Sequence, residues 1–375
     1  MPGSAYLFGA LCASVLTLCA CSTATQADTS PDYSDARGVL ERLTTADAAP
    51  GALLAVNGPR GRAVLKSGVA DIETRVPMAD HSRFRVGSMT KMFVSTVVLQ
   101  LVGAGEIALD APIERYLPGL VIGNGNDGRA ITVRQLLQHT SGLPDYLDYV
   151  DLLEVVKNPL AQYDPQQLVR TALAHPPLFP PGSGWSYSNT NYVLAGMLIE
   201  KVTGRPFQEE IDRRIIEPLA LHDTSAPGNR STITGTHPRG YAKPGDALVE
   251  LTDFNPSIAG ASGEIISSTA DLNIFLRSLL TGRLLQPTEL QAMMTTRATG
   301  DASGNAYGLG FMSSPLPCGG TYWGHNGDIL GFSVISGATT DGRTATVMVN
   351  LAPGGSDTKN ADMRTALNTA LCDSR

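Results

Sequence analysis

The chain has 375 residues, of which 42% are hydrophobic and 17% are charged. It is long enough for about two domains with buried cores, which excludes disorder as its main state. The 28 basic and 35 acidic residues give a net charge of −7. No run of Lys or Arg could neutralise the phosphates of a nucleic acid, so a nucleic-acid partner is not expected.

An apolar run over residues 6–20 is followed by a cysteine at position 21. The run is short for a membrane-spanning helix and is typical of an export signal. We therefore expect residues 1–21 to be a signal peptide and residues 22–34 to be a flexible tether. Residues 18–21 resemble a lipobox, which makes Cys21 a candidate for lipidation and membrane tethering. The protein is thus expected to be exported, either secreted or lipid-anchored outside the bacterial cytoplasmic membrane.

Strand patterns lie at both ends of the remaining chain, and helix patterns lie between them. In chain order, the sequence predicts a helix at 35–43, strands at 52–57 and 62–70, a buried helix at 92–102, further helices at 132–138, from 164 and at 191–203, and strands at 321–327, 331–338 and 344–350. The terminal strands should form one antiparallel sheet flanked by helices. We expect residues 35–104 and 251–375 to form this α/β (α+β) domain, with a mostly helical domain at 105–250 inserted. A ligand cleft is expected between them.

Three of the predicted helices carry recognisable terminal signals. Thr132 and Gln135 have the spacing of a capping box, which satisfies free N–H groups at a helix start. Asp164 precedes a proline, as an N-cap residue does before proline in the first helical position. Gly204 stands where a helix end favours a left-handed residue.

Ser88 precedes the apolar segment 92–102, and Lys91 follows Ser88 by three residues. This spacing puts both side chains on one face of a helix. A desolvated lysine with a lowered pKa can activate a serine hydroxyl as a nucleophile. A lone Ser-x-x-Lys is expected about once by chance. Indeed Ser356 and Lys359 form a second instance, where a helix N-cap followed by a solvated lysine is expected.

Tyr187 and Asn189 stand before the predicted helix at 191–203, and His325 and Gly327 lie in the predicted strand at 321–327. The phenol could relay a proton, and the Asn amide could bind a substrate amide. The alternatives are a helix cap beside an aromatic ring and a structural histidine. Gly327 would let a ligand backbone approach closely. The other histidines lack zinc-site spacing, so no metal is expected. No Gly-x-Ser-x-Gly occurs, which disfavours an α/β-hydrolase. No cofactor is expected.

Cys318 and Cys372 are the cysteines that remain after the leader. In an exported protein such a pair suggests a disulfide bond. Two separate buried thiols are the alternative.

Taken together, Ser-x-x-Lys, Tyr-x-Asn and His-x-Gly in this order resemble the penicillin-recognising serine enzymes, specifically the serine D-alanyl-D-alanine carboxypeptidases and class C β-lactamase-like hydrolases. Other segments resemble family landmarks: FRVGS at 84–88, LDAP at 109–112, LQHTSGL at 137–143, PG at 181–182, SSTADL at 267–272 and YGLG at 307–310. The resemblance covers nearly the whole mature chain and implies a β-lactamase/transpeptidase-like fold. Cys318 and Cys372 resemble the disulfide pair of an exported actinomycete-type carboxypeptidase.

The resemblance also implies a role for each motif residue. Ser88 would be the nucleophile, Lys91 its base, Tyr187 the proton relay, Asn189 a ligand contact and His325 the residue that orients or polarises Tyr187. The backbone N–H groups of Ser88 and Asp328 would form the oxyanion hole. The reaction would pass through an ester on Ser88.

Three positions depart from the relatives that bind a free C-terminal carboxylate. Asn326 and Asp328 stand where those relatives often have hydroxyl residues, and Met312 stands where an arginine completes the anchor. Side chains two apart on a strand share a face, so Asp328 should repel a substrate carboxylate. Arg297 or Arg343 could supply a positive charge from elsewhere. Asn326, Gly327 and Asp328 are thus candidate substrate-binding residues.

The sequence therefore predicts an exported serine hydrolase, with D-alanyl-D-alanine carboxypeptidase action on cell-wall peptides as the leading hypothesis and β-lactams as covalent ligands. One alternative is a β-lactamase or esterase of the same fold, which Asn326, Asp328 and Met312 favour. Another is a non-catalytic ligand-binding envelope protein that keeps the fold. The oligomeric state does not follow from the sequence.

Overall fold

Strands from the two ends of the chain build the main sheet, as the sequence predicts. The computed structural model describes residues 1–5, 33–244, 247–300 and 303–373. The signal-peptide, tether and Cys21 predictions fall mainly on residues 6–32, outside the described residues. Residues 1–5 are exposed and have no helix or strand. None of the helices in the described residues is long and apolar enough to cross a membrane.

The strands fall into one large antiparallel sheet and three short pairs. Over the described ranges they are β1 (Gly51–Gly58), β2 (Gly61–Gly68), β3 (Arg83–Arg85), β4 (Ile122–Gly123), β5 (Asn126–Asp127), β6 (Tyr241–Ala242), β7 (Val249–Glu250), β8 (Ile266–Ser268), β9 (Arg297–Ala298), β10 (Ala306–Tyr307), β11 (Met312–Pro315), β12 (Thr321–Ile329), β13 (Phe332–Ala338) and β14 (Thr344–Val349). The large sheet has the order β2-β1-β14-β13-β12-β11-β10-β9. The N-terminal hairpin thus pairs with the last strand of the chain.

Helices occupy most of the middle of the chain and cover the sheet. They are α1 (Ser34–Thr45), α2 (Thr90–Gly103), α3 (Val133–Leu137), α4 (Leu152–Lys157), α5 (Pro165–Leu173), α6 (Asn189–Thr203), α7 (Phe207–Ile211), α8 (Glu217–Leu219), α9 (Thr269–Leu280), α10 (Pro287–Met294) and α11 (Lys359–Asp373). The described residues from Tyr33 onwards form one compact unit. The division into domains at 35–104 with 251–375 and at 105–250 stays a prediction.

Alternating side chains of the central strands separate two hydrophobic cores. Leu53 and its partner Met348 belong to the core that also contains the apolar residues of α2, α6 and α9. Their neighbours Leu54 and Val347 belong to the core that contains those of α1 and α11. Because successive strand residues point to opposite faces, the sheet is buried on both sides. The predicted fold class, a sheet flanked by helices, is confirmed.

The predicted helix signals act as expected. The Thr132 hydroxyl accepts from the Gln135 N–H at 3.2 Å, and the Gln135 side chain accepts from the Thr132 N–H at 2.9 Å. Asp164 accepts from the N–H of Gln166, and Gly204 ends α6 with φ 70°. Helix α6 begins at Asn189, two residues before the predicted start, so Asn189 lies in its first turn.

A disulfide bond joins Cys318 to Cys372, with the Cα atoms 5.9 Å apart. Cys372 lies near the end of α11, and both cysteines pack against the core of α1 and α11. The bond therefore ties the C-terminal helix to the segment between β11 and β12.

Reduction of this disulfide should destabilise the fold. The bridged residues are 54 positions apart, and closing a loop of that length lowers the entropy of the unfolded chain by an amount worth about 4 kcal/mol. We expect urea unfolding of the oxidised and reduced proteins to show this difference in the free energy of unfolding. A variant with both cysteines replaced by Ser should not respond to reductant. Equal unfolding midpoints for oxidised and reduced wild-type protein would contradict the expectation.

Candidate active site

Ser88 lies in a 3-10 turn, Gly87–Met89, that leads directly into α2. The first ten residues of α2 are all buried, since they lie in the core between sheet and helices. Ser88 itself is half-buried and lines a cavity of about 600 Å³. Lys91 is in the first turn of α2, three residues after Ser88. Helix geometry thus places the amine beside the hydroxyl.

The Lys91 amine is fully buried and meets three oxygen atoms. Its Nζ lies 3.0 Å from Ser88 Oγ, 2.7 Å from Asn189 Oδ1 and 2.8 Å from the Ser262 carbonyl oxygen. The amide and carbonyl oxygens can only accept hydrogen bonds. A neutral amine therefore donates its two N–H groups to them and turns its lone pair towards the Ser88 hydroxyl. This is the geometry a general base needs.

Burial lowers the pKa of Lys91 to about 7, and the negative charge of Asp145 opposes this shift. A lysine at this value is partly neutral at neutral pH, whereas an ordinary lysine is almost wholly protonated. The amine can thus accept the Ser88 proton near pH 7.

Asn189 is held in place by a carboxylate that the sequence analysis missed. Asp145 Oδ2 accepts from Asn189 Nδ2 at 2.7 Å and from the Asn189 N–H at 3.0 Å. This fixes the amide with its oxygen towards Lys91. The amide is therefore engaged within the protein, although Asn189 also lines the cavity as a ligand contact would. Asp145 comes two residues after the LQHTSGL segment, which was the available signal.

The Tyr187 hydroxyl is buried and has no hydrogen-bonding partner among the described residues. The ring centroid lies 4.8 Å from Lys91 Nζ. Burial raises the pKa of Tyr187 well above its ordinary value, and the nearby Ser88 hydroxyl opposes this only in part. The phenol is consequently protonated at neutral pH and free to donate to a group that enters the site.

His325 does not make the direct hydrogen bond to Tyr187 that would orient or polarise the phenol. Its Nε2 lies 2.9 Å from the Tyr307 hydroxyl, and its Nδ1 contacts the carbonyl oxygen of Asn326. The His325 and Tyr187 rings are 6.1 Å apart. Burial and the Lys91 amine lower the pKa of His325 to about 3. The sequence pattern showed a His near the site but not its partner, Tyr307, which comes from β10.

Strand β12 passes directly beside Ser88, and Gly327 makes this possible. A Cβ atom on Gly327 would lie 2.0 Å from the Val86 carbonyl oxygen and 3.0 Å from the Ser88 nitrogen. A Cβ atom on Gly87 would in turn lie 3.0 Å from the Asp328 nitrogen. The backbones that carry the Ser88 and Asp328 N–H groups are therefore in close contact, as the implied oxyanion hole requires.

Asp328 and Asn326 point to the same face of β12, but only Asp328 lines the Ser88 cavity. Asp328 is exposed, lines the Ser88 cavity and accepts a hydrogen bond of 2.6 Å from Ser333 Oγ. Asn326 is exposed and, together with Asp328 and Arg364, lines a separate cavity of about 90 Å³. Asp328 therefore adds a negative charge to the wall of the Ser88 cavity.

The expectation of a solvated Lys359 is wrong. Its side chain is buried, and Nζ donates to Ser333 Oγ at 3.1 Å and to the Leu351 carbonyl at 3.0 Å. The first turn of α11 packs over the ends of β13 and β14, which removes the amine from solvent. Lys359 lines the Ser88 cavity together with Asp328 and Asp357.

Neither arginine considered from the sequence lines this cavity. The Arg297 guanidinium donates to the Gly182 carbonyl at 2.8 Å. The Arg343 guanidinium is paired with Asp341 and the Leu371 carbonyl. Met312 lies on β11 opposite Gly324. Within the described ranges, no group of three or more His, Cys, Asp or Glu side chains could hold a metal ion.

Comparison with known proteins relates this site to serine hydrolases. The family model described as Beta-lactamase matches residues 36–369. A D-stereospecific amidohydrolase from Streptomyces sp. is 42% identical, with a TM-score of 0.82 over 88% of this chain and 98% of that one. A D-amino acid amidase from Ochrobactrum anthropi, solved with L-phenylalanine amide, is 28% identical, with a TM-score of 0.79 over 91% and 98%. Esterase EstB of Burkholderia gladioli is 37% identical over 164 residues, which span 42% of this chain and 41% of the esterase.

The rate of Ser88 acylation should rise with pH through about 7. Lys91 accepts the Ser88 proton only when neutral, so the rate is low below its folded-state pKa and levels off above it. The low pKa of His325 and the high pKa of Tyr187 leave this limb undisturbed. Acylation by an aryl ester, followed by stopped flow, measures it. Lys91→Arg, which stays protonated, should reduce the rate about 1,000-fold. The exposed Lys66→Arg serves as the control. A pH-independent rate from pH 5 to 9 would rule out this role for Lys91.

Gly327→Ala should lower kcat about a hundredfold, because a Cβ atom would push β12 away from Ser88 by a distance that matters for positioning. Gly38→Ala is the matched control, since a Cβ atom there meets nothing within 4 Å in helix α1. Turnover of the same ester and circular dichroism melting separate lost activity from lost folding. A folded Gly327→Ala variant with the wild-type rate would refute the close approach.

Proposed function

The chain belongs to the Beta-lactamase family, and from this membership and the geometry around Ser88 we propose that it is an amidohydrolase that cleaves amides of D-amino acids through an ester on Ser88. The observation that carries the proposal is the buried Lys91 amine within 3.0 Å of the Ser88 hydroxyl. The solved amidohydrolase and D-amino acid amidase structures cover 88% and 91% of this chain, respectively.

The reaction consists of two acyl transfers. Lys91 takes the Ser88 proton as Oγ forms a bond to the substrate carbonyl carbon, and the backbone N–H groups of Ser88 and Asp328 stabilise the oxyanion. The Tyr187 hydroxyl hands a proton to the leaving nitrogen as the C–N bond breaks, and the proton taken by Lys91 restores the phenol. Water then attacks the ester, and the same groups return a proton to Ser88 Oγ. The products are a D-amino acid and an amine or ammonia.

The charges of the cavity favour a substrate with a free amine over one with a free carboxylate. Two exposed carboxylates, Asp328 and Asp357, line the cavity, against one buried amine, Lys359. Opposite charges attract a substrate ammonium to this wall, and like charges repel a carboxylate. A D-amino acid amide carries an ammonium group and no carboxylate. The remaining wall is largely apolar and can hold an apolar substrate side chain: Leu147, Leu152, Phe254, Ile258 and Leu330.

A D-alanyl-D-alanine carboxypeptidase is the second candidate, and Lys359 favours it. Its amine is a cation on the cavity wall, and a C-terminal carboxylate needs a cation. The Ser333 hydroxyl bridges Asp328 and Lys359. In the amidase proposal the Asp328 carboxylate meets the substrate, and in the carboxypeptidase proposal the Lys359 amine does.

Substrate competition tests the proposal. We expect D-phenylalanine amide to be hydrolysed faster than its L enantiomer, and N-acetylation of the D amide to lower kcat/KM about tenfold or more, because it removes the ammonium group. Asp328→Asn should reduce the effect of N-acetylation. Asp80→Asn, an exposed aspartate paired with Lys66 and absent from the cavity wall, should leave it unchanged.

Two controls keep the outcomes distinct. Intact-protein mass after incubation with a penicillin should show an adduct that Ser88→Ala abolishes, which reports acylation whatever the natural substrate is. Faster release of D-alanine from an N-acylated D-Ala-D-Ala peptide than of ammonia from the amide would select the carboxypeptidase. No adduct and no turnover of any of these compounds by folded protein would refute a serine hydrolase.

A further inference from the structure

A buried chain of hydrogen bonds runs behind the site from the Tyr187 turn to strand β12. His139 Nδ1 accepts from the Ser188 N–H at 3.1 Å, and His139 Nε2 lies 3.2 Å from the Tyr307 hydroxyl. The same hydroxyl lies 2.9 Å from His325 Nε2, and His325 Nδ1 contacts the Asn326 carbonyl. His139, Tyr307 and His325 are almost completely buried. The catalytic steps proposed above use neither His139 nor Tyr307.

The end groups of this hydrogen-bond chain determine which atom donates in each of its hydrogen bonds. The Asn326 carbonyl can only accept, so His325 carries its proton on Nδ1 and accepts at Nε2 from the Tyr307 hydroxyl. The Ser188 N–H can only donate, so His139 accepts at Nδ1 and donates from Nε2 to the Tyr307 oxygen. Asn191 Nδ2, 3.2 Å from His139 Nδ1, fits the same assignment as a second donor. Both histidines must then be neutral.

The surroundings keep these two histidines neutral. Burial and the nearby Lys91 amine lower the pKa of His139 well below its ordinary value and that of His325 to about 3. The other ionisable groups whose rings lie close to His325 are the phenols of Tyr187 and Tyr307, at 6.1 Å and 5.6 Å, and burial raises the pKa of both. No proton is therefore gained or lost along the chain near neutral pH.

One end of the hydrogen-bond chain lies beside Tyr187, and the other end lies beside the part of β12 that contacts Ser88. Ser188 lies between Tyr187 and Asn189, and the His139 ring packs against the Tyr187 ring with centroids 4.3 Å apart. At the other end, the Asn326 carbonyl precedes Gly327, whose backbone lies against Ser88. A shift of either end would change the distance between the Tyr187 hydroxyl and the Ser88 oxyanion site.

We propose that His139 and Tyr307 are positioning residues that set the distance between the Tyr187 turn and strand β12 during acyl transfer at Ser88. They touch neither the substrate nor the reacting atoms. The proposal rests on acyl transfer at Ser88 and not on the substrate class. A single fixed proton order makes the chain stiff, because no member can reverse its hydrogen bond without leaving a buried group unsatisfied.

The first test needs no substrate. Nitrogen NMR of the histidine rings in the wild-type full chain should show His325 protonated on Nδ1 and His139 on Nε2, with neither ring titrating between about pH 5 and 8. Assignment uses His139→Gln and His325→Gln. The opposite tautomer at either ring, or titration near the ordinary value, would overturn the proposal.

The second test is Tyr307→Phe, which removes the central hydroxyl and keeps the ring. With an aryl ester as probe, kcat should fall about tenfold with KM changed less than about twofold, the loss expected when one buried hydrogen bond is broken. The His325 ring should still not titrate between about pH 5 and 8, because burial and the Lys91 amine continue to lower its pKa. Tyr241→Phe is the control, since the Tyr241 hydroxyl binds the Ile72 N–H away from the Ser88 cavity. An unchanged kcat in folded Tyr307→Phe, or an equal loss in Tyr241→Phe, would overturn the proposal.

Discussion

The burial of one lysine amine is the constraint on which the rest of the site depends. Lys91 loses its hydration in the core, and three oxygen atoms replace the water: Ser88 Oγ, Asn189 Oδ1 and the Ser262 carbonyl. Taking a charged amine out of water is costly, so the site favours the neutral form, and the neutral form is the one that can act as a base. The same burial that would destabilise a protonated lysine thus creates its reactivity.

Keeping that amine in place requires parts of the chain that are far apart. Asn189 comes from the first turn of α6 and is fixed by Asp145, while Ser262 comes from the turn before β8. Gly327 brings β12 against Ser88 from a third direction. The chain through His139 and Tyr307 joins the α6 side to the β12 side behind the cavity. Each contact removes freedom from a different segment, which is how a rigid site is built from separate elements.

The charged residues on the cavity wall differ from those expected for the carboxypeptidase activity that the motifs predict. The three motifs are similar to those of D-alanyl-D-alanine carboxypeptidases, but the charged side chains on the wall of the Ser88 cavity are Asp328, Asp357 and the buried Lys359. Ser333 connects Asp328 to Lys359, so the two charges partly balance. Function in a shared fold is decided by such side chains and not by the nucleophile, which many activities have in common.

The sequence by itself determined whatever depends on neighbours within one or two turns. The spacing of Ser88 and Lys91, the capping box at Thr132 and the strands at 52–57 and 344–350 follow from local patterns, so they could be predicted with their residues. The resemblance in motif order added the fold. Only the tertiary structure showed that Lys359 is buried, that Asp145 holds Asn189 and that Tyr307 takes the hydrogen bond of His325. Lys91 and Asn189 are 98 residues apart, and His139 and Tyr307 are 168 apart. No local period relates such positions. They meet because the sheet and helices pack, and packing decides which side chains lose water and which partners replace it.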